Sequence, residues 1–338
     1  MNSGTLRVGC DLSGSLEPMG DSMVDLVSEL RRRQEVEVVA FRTASGAGDV
    51  DARLALRALW APLWRRSRGR RIDRLLPPVD VIHLAGLLTP PSRDIPLLVS
   101  LDDLRPLRNA TADRQRIAQL RRAVQSGVHL VASSHSARQE IQDRLGLRRE
   151  SVEVVFPAVP APAIVDGGSN LLVNVTGRVE QFLPLWPILE KIASGGGGRL
   201  VVLASAAGEA RLRAAGVRAI LRPRRDAARE LADARLVLHI SDGARFPSLA
   251  VAALGAGVPT VATSTRVNRE LLGGASLLVD GDDDTDMIEG ARALWTDEPR
   301  RALLRAAGLT RSGDFAPSLA AARYETLYAN THYQWRRR

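Results

Sequence analysis

The sequence predicts an α/β protein built from two Rossmann-like, doubly wound domains. Three observations carry this. Short runs rich in Val, Ile and Leu alternate with amphipathic stretches along the whole chain. The alternation pauses once, at a segment of Pro, Ala and Gly with little charge, and then restarts. The chain has 338 residues, room for two domains of ordinary size. Short apolar runs separated by helices are the pattern of a parallel sheet covered on both faces.

In the first half the strand candidates are Leu6 to Gly9, Val36 to Phe41, Val79 to Leu84, Pro96 to Leu101 and Val128 to Ser133. Each is short, apolar and bounded by turn residues. Amphipathic stretches lie between them at Ser22 to Arg33, Ala52 to Arg74 and Thr111 to Gln125, and read as helices. Asp21 or Ser22 caps the first of these. The segment Pro157 to Ser169 reads PAVPAPAIVDGGS, a linker composition. Strands are then expected at Leu171 to Thr176, Arg199 to Ala204, Val217 to Leu221, Leu236 to Ile240, Thr260 to Thr263 and Ser276 to Val279. The Gly195 to Gly198 run follows a helix, so it reads as a helix stop; a loop that cradles phosphate must precede one. Pro317 to Gln334 is a last helical stretch ending in Trp335 and three arginines, and is expected to pack back on the first domain. The resulting division is 1–159, a linker at 160–169, 170–316, and the final helix at 317–338.

Composition narrows the function class. Hydrophobic residues are 45% and charged residues 25%, ordinary for a globular protein and incompatible with disorder. The longest apolar runs, such as Leu200 to Ala204, are too short to span a bilayer. Met1 to Gly9 lacks a charged start and apolar core, so no signal peptide is expected. A single cysteine, Cys10, excludes a disulfide framework and a cysteine-based zinc site, and suits a reducing cytoplasm. The net charge is +9, almost all from arginine, with Lys191 the only lysine. Such a surface could attract an anionic partner, but the arginines are scattered among acids. Aromatics at 4% leave little for base stacking, so nucleic acid is not an expected partner.

Several constellations have plain structural readings. Ser133-Ser134-His135-Ser136 reads as a helix cap, since a nucleophilic triad is assembled in space and not from adjacent residues. The acidic cluster from Asp280 to Asp286 lacks the spacing of a calcium loop. His83, His129 and His239 fall in strands without metal-ligand spacing, so no metal site is expected. His83 ends its strand at the edge where open α/β sheets bind ligands. Within Arg53 to Arg74, Leu56, Leu59, Trp60, Leu63 and Trp64 form a helical stripe among arginines. That pattern suits docking on an anionic membrane surface, such as the inner face of the cell membrane, or on a partner, as well as it suits a helix packed on the sheet.

Four segments together resemble the family-4 GT-B glycosyltransferases, retaining enzymes that use nucleotide-sugars. They are VDVIH at Val79 to His83 followed by Pro90-Pro91; PLLVSLDDLRPLR at Pro96 to Arg108; VASSHSARQEIQDRLGLRRESVEVVFPAV at Val131 to Val159; and Phe246 to Val261 with Gly257-Val258-Pro259, followed by Asn268-Arg269-Glu270-Leu271 and Leu277-Leu278-Val279-Asp280. The resemblance implies two such domains facing a cleft, with a UDP- or GDP-linked sugar as donor substrate and no cofactor. It also implies where charge belongs. The diphosphate needs cations and N–H donors, the sugar and ribose hydroxyls need carboxylates, and the departing diphosphate must be stabilised.

Matched position by position, those charges are missing. The paired glutamates of the donor motif E-G-F-G-x-P-x-x-E fall on Ala244 and Ala252. The start of the basic motif is kept as Gly177-Arg178-Val179-Glu180, but its cationic pair falls on Phe182 and Leu183. The histidine of V-H-D-L falls on Asp102, where a carboxylate repels a diphosphate. Gly14, Gly20 and Asp21 stand where the family has its tight glycine turn. Glu270 remains at the family's R-E-x-x-G position. The resemblance thus implies a glycosyltransferase homologue of glycan or glycoconjugate assembly with a degenerate donor site, acting as partner to an active glycosyltransferase. Two alternatives stay open. One is an active transferase moving a hexose to a glycan or lipid-linked acceptor, with Arg178, Asp242 and Glu270 holding the donor and Gly14, His83 and Asp103 lining the cleft. The other is a nucleotide- or glycan-binding module without turnover.

Overall fold

The computed structural model describes residues 5–13, 22–42, 50–53, 63–64, 69–108, 110–148, 151–176, 178–281 and 284–337. The chain divides into two compact units. Among the described residues no helix is long and apolar enough to cross a membrane.

The first unit runs to Ala158 and takes back residues 317–338. Its strands are β1 (Leu6–Asp11), β2 (Val36–Arg42), β3 (Ala52–Arg53), β4 (Val81–Ala85), β5 (Leu97–Leu101), β6 (His129–Ala132) and β7 (Val152–Val154). They form one parallel sheet in the order β3-β2-β1-β4-β5-β6-β7. The chain winds outward in both directions from β1 and β4, which makes their C-terminal ends the topological switch point. Helix α1 (Ser22–Arg33) buries Met23, Leu26, Val27 and Leu30, one helical face, and ends in Arg31, Arg32 and Arg33 at the negative end of its dipole. Helix α2 (Ala110–Gln125) joins β5 to β6. Helix α3 (His135–Leu145) starts where Ser134 Oγ accepts the Ala137 amide at 2.9 Å and stops at Gly146, whose φ is 61°.

The stretch from Ala52 to Arg74, expected as one helix, begins as a strand and is helical at Leu63 and Trp64. Ala52–Arg53 is an edge strand beside β2, and Ile72–Arg74 a single 3-10 turn. The cause lies just upstream. Asp51 accepts the Ala40 amide at 2.7 Å and an Arg31 nitrogen at 2.6 Å, and its own amide bonds Ala40 O. This ties the chain alongside β2 and starts a parallel strand. Residues 54–62 and 65–68 of the basic stretch lie outside the described residues. Trp64 is 1% exposed and donates its indole N–H to Arg70 O, so its ring is part of the core.

The last helix, α12 (Pro317–Arg336), belongs to the first unit. Ala320, Ala321, Tyr324 and Tyr328 share one core with α1, β1 and β4. Arg33 adds a two-pronged ion pair to Glu325, at 2.8 and 2.9 Å.

The second unit spans residues 159–316. The Pro/Ala/Gly segment is seated along it by backbone bonds: Val159 N to Phe315 O, Val165 N to Ala256 O and Ser169 N to Asp233 O. Its strands are β8 (Asn170–Thr176), β9 (Leu200–Ala204), β10 (Ile220–Pro223), β11 (Ala234–Ser241), β12 (Thr260–Thr263) and β13 (Leu277–Val279). The sheet is parallel in the order β10-β9-β8-β11-β12-β13, so its switch point falls between β8 and β11. The helices are α4 (Val179–Phe182), α5 (Trp186–Gly195), α6 (Ala206–Ala214), α7 (Ala227–Leu231), α8 (Ser248–Gly255), α9 (Arg266–Leu272), α10 (Asp284–Thr296) and α11 (Glu298–Ser312). Gly195 to Gly198 ends α5 and admits β9: a Cβ on Gly198 would stand 2.0 Å from Ser169 O. Helix α8 is buried along its whole length, from Leu249 to Gly255.

Candidate functional site

Open α/β sheets bind ligands beyond the carboxyl ends of their strands, at the switch point. Each unit has such an edge, and the candidate residues divide between them.

In the first unit the edge is filled by the last helix. His83 on β4 is fully buried, with Nδ1 2.7 Å from the Tyr328 hydroxyl and Nε2 3.2 Å from Ser100 Oγ. Its ring centroid is 4.8 Å from that of Tyr324. Burial holds the imidazole neutral, with its pKa pushed down to about 3. Burial likewise pushes the Cys10 thiol up to about 12, despite a hydrogen bond with Tyr328. Both tyrosines are raised above their ordinary value, first by burial. At neutral pH no group of this set carries charge. Beside it Asp102, just past β5, accepts a hydrogen bond from Ser22 Oγ at 2.6 Å, at the first residue of α1. His83, Ser100, Asp102, Ser22 and Tyr324 line a cavity of only about 10 Å³, the space of one water. The structure therefore brings His83 and Asp102 together beside a cavity of one water's size among the described residues. Asp103 turns to Arg105, accepting its backbone N–H at 3.0 Å and its Nε at 2.9 Å. Gly14 lies outside the described residues, as do Gly20 and Asp21.

In the second unit the residues matched by sequence to the family's charged positions are buried or packed on the core. Ala244 and Ala252 are each 2% exposed. Phe182 is wholly buried in the main core, and Leu183 packs against it. Arg178 starts α4 and donates to Gln181 Oε1 at 3.2 Å. Its guanidinium points toward Gly281, where a Cβ would come within 3.9 Å of Nη1. Asp242 accepts the Ala244 amide at 2.9 Å and so shapes the turn after β11. Glu270 lies on α9, and its carbonyl accepts from Arg311 at 2.8 Å. None of the described cavities has Arg178, Asp242 and Glu270 together among its described lining residues.

A different set does converge. Asn174, Leu203, Arg224, His239, Ser241, Arg245 and Ser248, with Ala227, Phe246 and Leu249, line a cavity of about 40 Å³ at the switch point. Asn174 and His239 face each other across β8 and β11, 3.2 Å apart through the amide nitrogen and Nδ1. Burial, reinforced by the positive charge of Arg224, lowers the His239 pKa to about 4. Arg224 follows β10 and donates to Val175 O at 3.0 Å, at the end of β8. Asn268 ties the edge together from α9, donating to Thr263 O at 2.8 Å and to Ser241 Oγ at 3.2 Å. Reading the sequence for family motifs missed Asn174, Arg224 and Arg245, and named Asn268 only as part of a motif. The available signal was a polar residue in the middle of each of two largely apolar strands, at Asn174 and His239. Among the described residues no group of side chains could hold a metal ion.

Comparison with known proteins agrees with this architecture. Residues 19–161 match the family described as Glycosyltransferase Family 4. No curated protein sequence matches the chain. Among solved structures, sucrose-phosphate synthase from Thermosynechococcus elongatus superposes with a TM-score of 0.71 at 13% identity, covering 96% of this chain and 98% of that one. Anabaena HepE in complex with UDP and glucose gives a TM-score of 0.65 at 16% identity, covering 96% and 99%. A glycosyltransferase from Rickettsia africae gives 0.63 at 10% identity, covering 97% and 99%. The fold is that of the GT-B glycosyltransferases, and the resemblance to their family 4 extends through the first unit.

Proposed function

We propose that this protein is a family-4-like glycosyltransferase homologue of glycan or glycoconjugate assembly that has lost transfer chemistry and works beside an active glycosyltransferase. The observation that carries this is the burial of Ala244, Ala252 and Phe182, with Leu183 packed on the same core. Positions that the family uses for two carboxylates and two cations have become part of the hydrophobic interior. A site without those groups forfeits both the hydroxyl acceptors for the sugar and the charge that lets a diphosphate leave. The first unit adds to this: a carboxylate at Asp102, bonded to Ser22, occupies the family's histidine position.

HepE is seen with UDP-glucose, so UDP- and GDP-linked sugars are the donors to try. Purified protein incubated with radiolabelled nucleotide-sugars should release no sugar, alone or with lipid-linked acceptors, and should co-purify with a second glycosyltransferase. Steady donor hydrolysis abolished by Arg178→Gln would instead establish an active enzyme using displaced residues. The arginine-rich stretch from Arg53 to Arg74 supports a cytoplasmic protein held at an anionic membrane face. Co-sedimentation with anionic vesicles at low salt tests it, and failure to bind removes that location.

A further inference from the structure

Strands covered on both faces are apolar nearly throughout, and in the middle of β8 and β11 this rule is broken side by side at Asn174 and His239. There the Asn174 amide nitrogen donates to His239 Nδ1 at 3.2 Å, which places the ring proton on Nε2. His239 is 2% exposed and lines the 40 Å³ cavity. Its Nε2 has no hydrogen-bond partner among the described residues. Buried N–H groups in folded proteins are nearly always paired, so an unpaired one needs an explanation. Arg224 and Arg245 line the same cavity with the hydroxyls of Ser241 and Ser248, and no carboxylate is among the described lining residues. Two guanidinium groups, hydroxyls and a fixed N–H donor are the chemistry that recognises phosphate oxygens. The space exceeds the ~10–15 Å³ of one water and is too small for a sugar ring or a base.

We propose that this cavity holds a phosphoryl group, with Arg224 and Arg245 as its cations and His239 Nε2–H as a fixed donor. The anion-holding groups of the second unit have then moved from the positions of Phe182 and Leu183 to the ends of β10 and β11. This deepens the function proposed above and rests on its premise that the chain keeps a binding frame without the chemistry. The phosphoryl group could belong to free phosphate or to a nucleoside diphosphate.

The test uses the full chain labelled with 15N-histidine, the His239 signals being assigned by their loss in His239→Gln. Inorganic phosphate, pyrophosphate and UDP are titrated in at low salt. The expected result is a saturable shift of the His239 Nε2 signal, weakened about tenfold or more by Arg245→Gln. A shift with phosphate or pyrophosphate as strong as with UDP identifies a free anion as ligand. A much tighter response to UDP identifies the nucleotide. A His239 signal that ignores all three anions, or responds equally in folded Arg245→Gln, overturns the assignment. Sugar release from a nucleotide-sugar would overturn the proposed function and leave this pocket standing, so the two failures are distinguishable.

Discussion

The two units share one topology and differ at the edge where that topology binds ligands. In the first, the strand ends are closed by α12, which sets Tyr324 and Tyr328 against His83 and leaves about 10 Å³. In the second, α8 covers the edge with small residues and Arg224, Arg245 and His239 line about 40 Å³. Each histidine is buried and neutral. Among the described residues His83 has a partner on both ring nitrogens, whereas His239 has one on Nδ1 alone. A satisfied buried network fixes structure, and a partly satisfied one leaves capacity for a ligand. The difference teaches that two edges built on one topology can differ in how far their buried hydrogen bonds are completed.

The largest test of the closed edge is Tyr328→Ala. It removes a wholly buried ring from the core of the first unit and a hydrogen bond from His83. Urea unfolding should show a loss of about 3–5 kcal/mol. Tyr328→Phe keeps the ring and should lose about 1–2 kcal/mol. Equal losses would mean that the hydroxyl, not the packing, closes the edge. On the second unit, Ala252→Glu restores a family carboxylate inside buried α8. An unpaired charge there should destabilise by about 3 kcal/mol or more, read as a lower Tm, without creating transfer activity. A stable, active Ala252→Glu would show that the site had only lost one side chain.

Much of the fold was legible because it is written in local patterns. The strand at Thr260 to Thr263 and the caps of α3 follow from runs of residues adjacent in sequence. Ala52 and Arg53, expected at the start of a helix, form a strand because one carboxylate, Asp51, bonds a strand 11 residues away. Motif spacing singled out Ala244, Ala252, Phe182 and Leu183, and the structure shows that the first three are buried and Leu183 packs on the core. The arginines of the 40 Å³ cavity were not singled out, since Arg224 and Arg245 meet Asn174 and His239 only through the order of β8, β10 and β11.

Acid compares the two edges directly. An unfolded chain takes up protons on these histidines near pH 6.5, while the folded chain resists until about 3 at His83 and about 4 at His239. Stability from each is therefore complete above pH 6.5 and falls as the pH drops toward the folded value. By pH 5 each unit should lose about 2 kcal/mol. Hydrogen exchange at β4 and β11 amides measures the two losses separately. Binding of an anion beside His239 stabilises the protonated ring, so phosphate should lessen the loss at β11 and not at β4. Equal protection of both would erase the distinction drawn between the edges.

The smallest effect asks what holds α12 in place. Arg33 and Glu325 form a two-pronged ion pair, but the arginine side chain is 30% exposed and solvent competes for it. The apolar face of the helix is buried without such competition, through Ala320, Ala321 and Tyr328. Arg33→Met keeps most of the aliphatic stem and should cost about 1 kcal/mol or less. Combined with Glu325→Gln in a double-mutant cycle, the coupling should stay below that value and shrink in salt. A coupling of several kcal/mol would make the ion pair, and not the tyrosines, the clasp of the closed edge. Breaking it should then free His83 to titrate near its ordinary value, which Tyr328→Phe alone would not do.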